Sequence, residues 1–266
     1  MTDVGGAHAR RHPDWLVPGW NAPGVGALMT TRKGGVSAAP FDSFNLRPGL
    51  GDDADAVARN QQLLAHAIGV VPVYLDQVHG ASVVLLSAAD ALPGVPTHRV
   101  DARVTTAAGI ACAVLMADCL PVLFAAPNGR AVGAAHAGWR GLSGGVLEAT
   151  LRAICEAGGC ESAEVQAWLG ACIGPREFEV GPDVLDAFGV SPHGDSSPRF
   201  VPKGPGKWWA DLAALAHDRL QAAGVRAVSG GAWCTVSEPS RFFSFRRDRV
   251  TGRMAAAVWI EPGRVG

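Results

Sequence analysis

The chain has 266 residues, of which 48% are hydrophobic, and this length suits one large domain or two closely joined halves. Its formal net charge is −1 at pH 7, so no global field draws it towards nucleic acid or an anionic membrane. The sequence shows neither a signal peptide nor an apolar run long enough to span a bilayer, which predicts a cytoplasmic protein without a membrane partner. Six cysteines without a C-x-x-C pair indicate thiols in a reducing compartment.

The first half of the chain has the pattern of one helix and a series of buried strands. Acidic residues in the first turn, inward-facing Val57, Leu64 and Ile68, and a following glycine predict a helix over residues 53–68. Short strands are expected on either side of a DQVHG turn, at 73–75 and 82–86. Three continuous apolar runs are typical of strands buried on both faces, at 110–116, 120–126 and 131–135.

The second half of the chain predicts two more helices, one over residues 141–158 and one over 208–223, each with an apolar inner face. Segments 165–169 and 254–260 have the composition of strands. Residues 191–206 are rich in Pro, Gly and Ser, and we expect them to form an exposed loop.

The alternation of helical and strand patterns, without a fixed-period repeat, predicts a mixed α/β or α+β sandwich. We expect one domain over residues 15–266, because no low-complexity linker interrupts it. Residues 1–14 carry charges and histidines, and we expect them to form a mobile N-terminal tail.

Aromatic residues alternate with arginines in RFFSFRRDR, residues 241–249. Such a mixture can stack the bases of single-stranded nucleic acid. We expect instead a structural strand with Phe243 and Phe245 packed inward, and core positions for Trp208 and Trp209. An arginine of this run could still reach a functional site.

Two histidines and one cysteine stand where predicted strands give way to loops. Cys119 follows one strand, His136 ends another, and His79 lies in the turn between two more. Such edges collect functional side chains, because the sheet fixes the backbone while the loop leaves room for a ligand. A thiolate with two imidazoles is a known ligand set for catalytic zinc, with the fourth position left open. The residues alone also allow a simpler interpretation, a buried thiol and two hydrogen-bonded loop histidines.

Seven motifs resemble those of one family in order and spacing. They are TTRKGGVS (30–37), FDSFNL (41–46), QVHG (77–80), ADCLPVLF (117–124), AAHAGWRGL (134–142), WLGACIGPREFEVG (168–181) and FFSFRRDRVTGRMAA (242–256). They are similar to the motifs of the YfiH family, the laccase-domain proteins also called multicopper polyphenol oxidases or peptidoglycan editing factors. The resemblance covers residues 15–260, nearly the whole chain. It implies a YfiH-like fold, related to the catalytic domain of the cytotoxic necrotizing factor toxins.

The resemblance also implies a metal site and a reaction. In the family, the histidine of QVHG, the cysteine of ADC and the histidine of HAGWRG bind one metal ion, which carries this role to His79, Cys119 and His136. Zinc is the expected ion, and copper could bind in vitro. Family members resemble purine nucleoside enzymes that cleave adenosine, inosine, guanosine or methylthioadenosine with phosphate, and that deaminate adenosine. The expected partners are therefore a purine nucleoside and phosphate, without nucleic acid, and the protein is expected to be a monomer or a dimer.

The oxidase name of the family can be tested against composition. A multicopper centre needs many histidines, usually in H-x-H pairs. This chain has eight histidines and no H-x-H, and two of the eight lie in the expected tail. We therefore expect no laccase activity. The H-x-E and P-C-x-x-C pattern of the cytidine deaminases is also missing from the sequence, so any deamination would use a different zinc site.

Charged and polar residues in the motifs are candidates for proton transfer and substrate binding. Asp118 is the first candidate for a proton shuttle, provided that the following turn rotates it inward; the alternative is a turn-capping carboxylate. Arg140, at the expected start of a helix, could bind phosphate. Arg32, on a glycine-containing loop, and Asn45 are candidates for substrate contacts.

Three functions remain open from the sequence. The first is a zinc enzyme of purine nucleosides, with Cys119, Asp118 and His136 in catalysis. The second is a cysteine hydrolase, with Cys119 as nucleophile and His136 as base, that removes a misincorporated L-serine from a muramyl nucleotide precursor, as the resemblance implies for an editing factor. The third is a non-catalytic binding protein with a structural metal. A chelator should stop the first and spare the second.

Overall fold

Two β-sheets form the centre of the structure, a computed structural model that describes residues 11–192 and 197–261. The strands are β1 (Val25–Met29), β2 (Val71–Val73), β3 (Val83–Leu86), β4 (Ala102–Thr105), β5 (Ile110–Met116), β6 (Leu120–Ala125), β7 (Val132–Ala137), β8 (Gln166–Leu169), β9 (Glu179–Val180), β10 (Phe200–Gly204), β11 (Lys207–Ala210), β12 (Ala227–Gly230) and β13 (Met254–Ile260). The helices are α1 (Ala54–Ile68), α2 (Trp139–Ser143), α3 (Val146–Gly158), α4 (Pro182–Ala187), α5 (Leu212–Ala222) and α6 (Phe245–Asp248). Within these ranges, no helix has the length and apolar composition needed to cross a membrane.

The chain passes between the two large sheets several times. The first sheet has the order β1-β13-β5-β2 and the second the order β12-β8-β6-β7-β4-β3. Strand β2 runs parallel to β5, and β3 runs parallel to β4. The loop between β2 and β3, which contains the QVHG motif, therefore crosses from one sheet to the other. A third, smaller sheet has the order β10-β11-β9.

Strand β5 shows why the apolar runs lack polar alternation. All seven of its residues are buried. Cys112, Val114 and Met116 pack between the two sheets, whereas Ala111 and Leu115 pack on the other face. Because side chains of a strand alternate between faces, a strand covered on both sides must be apolar throughout.

Helix α1 covers the outer face of the first sheet. The carboxylate of Asp53 accepts hydrogen bonds from the backbone N–H groups of the first turn, and Gly69 ends the helix with a φ of 74°, a left-handed conformation open to glycine. Leu64 and Ile68 of this helix join a cluster with Trp259 of β13. The predicted helix over 53–68 is confirmed.

Helices α2 to α5 cover the outer face of the second sheet. The buried residues of α3, which are Val146, Leu147, Leu151 and Ile154, share one core cluster with Phe124 of β6. The molecule thus has four layers: a helix, two sheets and a group of helices. This confirms the predicted mixed α/β sandwich.

Two predicted helices have different boundaries in the structure. The helix expected over 141–158 is split into α2 and α3, because Gly145 between them has a φ of 91° and starts α3 in a new direction. The helix expected over 208–223 begins later, because β11 takes its first residues into a sheet and the carboxylate of Asp211 caps α5. In both cases a local signal that starts or ends a helix outweighs the periodic spacing of the apolar residues.

Two predictions for irregular or extended segments were wrong in part. The exposed loop expected over 191–206 contains strand β10, which pairs with β11; residues 193–196 lie outside the described residues. The strand expected over 241–249 does not form: residues 241–244 belong to no strand, and residues 245–248 form α6. Phe243 is fully buried between the sheets as predicted, but Phe245 is 45% exposed.

The predicted mobile tail is described only at its end, since residues 1–10 lie outside the described residues. The guanidinium carbon of Arg11 lies 5.3 Å from the centre of the Trp259 ring. The carboxylate of Asp14 lies 3.2 Å from Nζ of Lys33. These contacts bring the chain onto the first sheet just before Trp15, which is 8% exposed.

Gly26 of β1 tests how closely the first sheet is packed. A Cβ atom at this position would lie 2.1 Å from Cε2 of the Trp259 ring, inside van der Waals contact. We predict that Gly26→Ala lowers the free energy of unfolding by about 1–3 kcal/mol, the usual cost of overpacking a core. Urea denaturation measures it. Gly204→Ala on β10, where nothing lies within 4 Å of the added Cβ, should change the free energy by less than about 0.5 kcal/mol. Equal effects of the two substitutions would contradict the packing.

Candidate metal centre

The three predicted ligands meet at one edge of the second sheet. The Cys119 sulfur and one ring nitrogen each of His79 and His136 all lie within 4.8 Å of one another. The Sγ atom of Cys119 is 3.9 Å from Nε2 of His79. The two imidazole rings stand edge to face with centroids 4.9 Å apart. It is the one such group of metal-ligating side chains in the described parts of the chain.

Strand pairing and a loop together bring the ligands to one place, although His79 and His136 are 57 positions apart in the sequence. Pro121 of β6 pairs with His136 of β7, so Cys119, two residues before Pro121, lies diagonally from His136 at the same end of the antiparallel pair. His79 reaches them from the loop that crosses between the sheets. Its φ of 61° is rare for a residue with a side chain, so the surrounding hydrogen bonds must hold it.

A buried carboxylate, Asp101, supplies those hydrogen bonds. It is fully buried and precedes β4. Its oxygens accept hydrogen bonds from the backbone N–H of His79 at 2.9 Å and of Gly80 at 2.6 Å. The same carboxylate lies 2.9 Å from Nδ1 of His136. Asp101 therefore fixes one ligand through its backbone and another through its side chain.

Gln77 fastens the start of the same loop to the first sheet. Its amide nitrogen donates to the carbonyl of Leu115 at 2.8 Å, and the backbone N–H of Leu115 donates back to its amide oxygen at 2.8 Å. This pairing imitates a strand partner beside β5. In the QVHG motif, the glutamine thus anchors the loop, whereas the histidine presents a ring nitrogen.

Burial controls the protonation of the ligands. Burial lowers the pKa of His136, against the effect of its hydrogen bond to Asp101, so the ring is neutral at neutral pH. With Nδ1–H donated to the carboxylate, Nε2 keeps its lone pair for a metal. Burial raises the pKa of Asp101, but the hydrogen bonds from His136 and Gly80 outweigh it, and the net pKa lies below the usual value.

The thiol of Cys119 is a poor nucleophile in this setting. Burial, and then the nearby Asp118 carboxylate, raise its pKa to about 12. A thiol with such a pKa stays protonated at neutral pH, and the thiolate is the reactive form. A cation bound among the three ligand atoms would favour the thiolate.

The donor set and the space between the donors fit a divalent metal ion. One sulfur and two imidazole nitrogens are ligands that zinc and copper both accept, and carboxylate-loving ions such as magnesium do not prefer them. Gly138 leaves the space open: a Cβ there would lie 3.0 Å from the Cys119 sulfur and 3.1 Å from Cδ2 of His79. Three protein ligands, if they held a zinc ion, would match the number found in catalytic rather than structural zinc sites.

A cavity of about 230 Å³ opens beside the ligands. Its apolar lining consists of Trp139, Ile173, Phe178, Leu212 and Phe245. Its polar lining consists of Asp118, Cys119, Arg246 and Arg249. A larger cavity of about 310 Å³ shares Ile173 with it, but none of the three ligands lines it. We therefore place the candidate site in the smaller cavity, which combines aromatic surfaces with positive charge.

Asp118 lies at the site but its carboxylate is already engaged. With a φ of 92° the turn does rotate it away from the strand geometry, as the sequence required. One oxygen accepts a hydrogen bond from Oγ1 of Thr235 at 2.6 Å, and the other from the backbone N–H of Arg246 at 2.6 Å. These bonds hold the start of α6 against the metal centre, a positioning function.

The three residues expected to bind substrate lie in different surroundings. Asn45 is fully buried, and its amide bonds to Asp52 and to backbone groups within the chain. Arg32 pairs with Asp42 and donates to the Pro239 carbonyl. Neither residue lines the cavity. Arg140 is exposed, with its guanidinium carbon 4.2 Å from the centre of the Trp139 ring, and Trp139 does line the cavity.

The sequence interpretation missed Asp101, Gly138 and Arg253. A signal for Asp101 was present, since an aspartate between Val100 and Ala102 at the start of an apolar strand has to find partners when buried. Gly138 and Arg253 carry no comparable signal. Their positions at the site follow from tertiary packing alone.

The fold and site define an α/β protein with a three-ligand metal centre at a sheet edge. The family model described as multi-copper polyphenol oxidoreductase laccase matches residues 26–261. The chain belongs to this family, the YfiH family of the sequence motifs.

Relatives and solved structures agree with this assignment. A Pseudomonas aeruginosa protein named purine nucleoside phosphorylase is 48% identical over 93% of this chain and 98% of its own length. The Escherichia coli purine nucleoside phosphorylase YfiH is 46% identical over 92% of this chain and 98% of its own. The Neisseria meningitidis protein NMB0706 matches in structure with a TM-score of 0.85, 46% identity and coverage of 93% and 99% of the two chains. YlmD from Geobacillus stearothermophilus gives a TM-score of 0.86 at 32% identity over 95% and 98%.

Asp101→Asn tests the carboxylate that organises the ligands. An amide has one acceptor oxygen in place of two, so it cannot serve both the loop N–H groups and His136. We predict that zinc affinity, measured by competition with a chromogenic chelator, falls about 10–100-fold. Asp90→Asn is the matched control, because Asp90 pairs with His98 at 2.8 Å away from the metal centre. An unchanged affinity in Asp101→Asn would contradict the assigned function of this carboxylate.

Gly138→Ala tests the space between the ligands. The φ of −64° and ψ of 162° at this position suit any residue, so the added methyl group acts by contact alone. Because it would press on Cys119 and His79, we predict at least about a tenfold loss of zinc affinity, similar to other supporting positions of metal sites, with the fold retained. Circular dichroism checks the fold. Gly19→Ala, with nothing within 4 Å, should bind zinc like the wild type.

Proposed function

We propose that the protein is a zinc-dependent purine nucleoside phosphorylase that acts on adenosine, inosine, guanosine or methylthioadenosine. The observation that carries the proposal is the meeting of His79, Cys119 and His136 beside a cavity that Cys119 lines and whose lining is aromatic and cationic. Relatives named purine nucleoside phosphorylase, matched over almost their whole length, point to the same reaction.

Zinc is the proposed metal because its tetrahedral geometry accepts one thiolate and two imidazoles and leaves one position for a reactant. When bound, such an ion supplies positive charge that stabilises oxyanions. The chain contributes the orientation. Asp101 fixes the tautomer of His136, and Gln77 and Asp101 together hold His79 in its strained conformation.

The cavity lining suits a purine nucleoside. Purines are flat and polarisable, and Trp139, Phe178 and Phe245 offer ring faces of the kind that stack on bases. In phosphorolysis a phosphate oxygen forms a bond to C1′ of the ribose, the bond from C1′ to the purine nitrogen breaks, and the purine takes a proton as it leaves. Because the attacking phosphate is an anion, the reaction also needs positive charge beside the aromatic surfaces.

The proposed tasks of the polar residues follow from their contacts. Both oxygens of Asp118 are engaged, which supports positioning of Arg246 over proton transfer. Arg140 stays a proposed phosphate contact, because it stacks on a residue of the cavity lining. The internal bonds of Arg32 and Asn45 support structural functions for both.

The same assays would also detect two other reactions. Deamination of adenosine would yield inosine without phosphate. A cysteine hydrolase acting on a muramyl precursor is favoured by the 3.9 Å between Cys119 and His79, which makes His79 rather than His136 the nearer base. The pKa of about 12 for the Cys119 thiol counts against it, because a free thiolate would be scarce.

Cys119→Ala is the test of the proposed activity. The substitution removes one of three ligands, so we predict loss of stoichiometric zinc and a fall of at least about a hundredfold in the conversion of adenosine and phosphate to adenine and ribose 1-phosphate. Chromatography of the products and metal analysis measure the two effects. Cys160→Ser, in the turn after α3, is the control that should keep both zinc and activity.

The pattern of products decides between the alternatives. Adenine that appears only with phosphate and zinc supports the phosphorylase, whereas inosine supports deamination. If zinc-loaded wild-type protein leaves every nucleoside intact but releases L-serine from a muramyl precursor, the phosphorylase proposal is wrong. Insensitivity of that release to a chelator would identify the cysteine hydrolase.

A further inference from the structure

Arginines without an acidic partner gather at the cavity beside the metal centre. Arg246 and Arg249 line the cavity, and Arg253 lies beside the ring of Phe245 in its lining. Burial, and then the charge of Arg47, lower the pKa of Arg253. None of the four forms an ion pair with a carboxylate of the described residues, although arginines elsewhere, such as Arg199, do so. Clustered guanidinium groups repel one another, so a group of this kind is stabilised by an anion.

Arg249 is held at the cavity with its guanidinium free. Its φ of 62° is unusual for a residue with a side chain, and its backbone N–H donates to the carbonyl of Phe245 at the end of α6. The guanidinium carbon lies 5.5 Å from the centre of the Phe245 ring. Its side chain makes no hydrogen bond to the described residues, so its donors remain available.

Arg253, four residues after Arg249, approaches the same ring. Its guanidinium carbon lies 5.7 Å from the centre of Phe245. One nitrogen, Nη1, donates to the carbonyls of Thr251 and Gly252, which fixes the group and leaves Nε and Nη2 without a partner among the described residues. A guanidinium held in this way presents a preformed fork of donors.

Arg253 is connected to the cavity through the ring of Phe245. Phe245 lines the cavity together with Cys119 and Arg249, and the guanidinium carbons of Arg249 and Arg253 lie 5.5 Å and 5.7 Å from the centre of its ring. An anion that met the free donors of both arginines would therefore lie beside the ring of Phe245, at the cavity that Cys119 also lines.

A buried hydroxyl with no partner lies in the same segment. Oγ1 of Thr251 is inaccessible and makes no hydrogen bond within the described chain. Buried polar atoms are almost always satisfied, so this hydroxyl calls for an explanation. Residues 249–253 thus hold one buried unpaired hydroxyl and two arginines with donors that have no partner among the described residues.

We propose that Arg249 and Arg253, whose guanidinium carbons lie 5.5 Å and 5.7 Å from the centre of the Phe245 ring, form a phosphate subsite at the cavity that Cys119 lines. The proposal rests on the proposed function for the identity of the phosphate as co-substrate. Its chemistry also fits the phosphate ester of a nucleotide ligand, and the arms of the test separate the two. The other aromatic rings of the cavity, Trp139 and Phe178, are then left for the purine.

Binding of inorganic phosphate to the zinc-loaded protein, followed by 31P NMR titration, tests the subsite without turnover. Loss of one charge-assisted donor pair should weaken binding about 10–100-fold in Arg253→Gln and in Arg249→Gln. Arg253→Lys, which keeps the charge but loses the fork, should fall between wild type and Arg253→Gln. Arg152→Gln, an exposed residue of α3, is the control that should bind like the wild type. Zinc content is measured in every variant.

The KM values for phosphate and nucleoside give an independent readout. A subsite raises the KM for phosphate in both glutamine variants and leaves the KM for nucleoside nearly unchanged. Because Arg249 makes no side-chain hydrogen bond within the described residues, Arg249→Gln keeps the test valid if Arg253→Gln fails to fold. Folded, zinc-loaded variants that bind phosphate like the wild type would overturn the proposal, as would a wild type that binds neither inorganic nor methyl phosphate.

The results distinguish inorganic phosphate from a phosphate ester, and they distinguish the subsite proposal from the phosphorylase proposal. Arginine-dependent binding of methyl phosphate without binding of inorganic phosphate supports the subsite for a phosphate ester. Arginine-dependent phosphate binding without any phosphorolysis keeps the subsite and rejects the phosphorylase. Phosphorolysis with phosphate binding unchanged in both glutamine variants keeps the phosphorylase and rejects the subsite.

Discussion

The buried carboxylate of Asp101 connects every part of the metal centre. A fully buried negative charge is costly unless its acceptors are filled, and here the donors come from three backbone N–H groups, those of Val78, His79 and Gly80, and from the His136 ring. Removing the carboxylate would leave the loop between β2 and β3 without its anchor. The loop conformation, the tautomer of one ligand and the position of the other therefore depend on one side chain.

The rigidity of that carboxylate comes from its place between the two sheets. Two residues further along β4, Arg103 is fully buried and donates to the carbonyls of Val73 and Ala113, on β2 and β5 of the first sheet. Nε and Nη2 of Arg103 find no partner in the described chain, a cost of about 1–3 kcal/mol for each such group. The contact joins the sheets directly behind the metal centre, at some expense in stability. The unpaired nitrogens of Arg103 thus lower the stability at β4, and the burial of apolar residues in the layers on both sides offsets that cost.

The sequence predicts the layers well because each layer repeats a simple pattern. Strand β13 and helix α1 could be located within a residue, since burial on both faces or on one face leaves a periodic record. The split between α2 and α3 depends on the φ of one glycine, and the strand β11 depends on its pairing with β10 and β9; the apolar period records neither. The three ligands were found from their loop positions and the family motifs, whereas Asp101 and Arg253 act through contacts that only the folded chain creates.

Charge balance links the metal centre to the arginines beside it. Cys119 as a thiolate, Asp101 and Asp118 place several negative charges at one end of the cavity, and each is desolvated to some degree. A divalent cation bound by the three ligands would offset the charge near the thiolate. Arg249, which lines the same cavity beside Phe245, forms no ion pair with a carboxylate of the described residues. A neutral nucleoside alone would leave the charge of Arg249 unpaired, whereas the proposed phosphate would balance it.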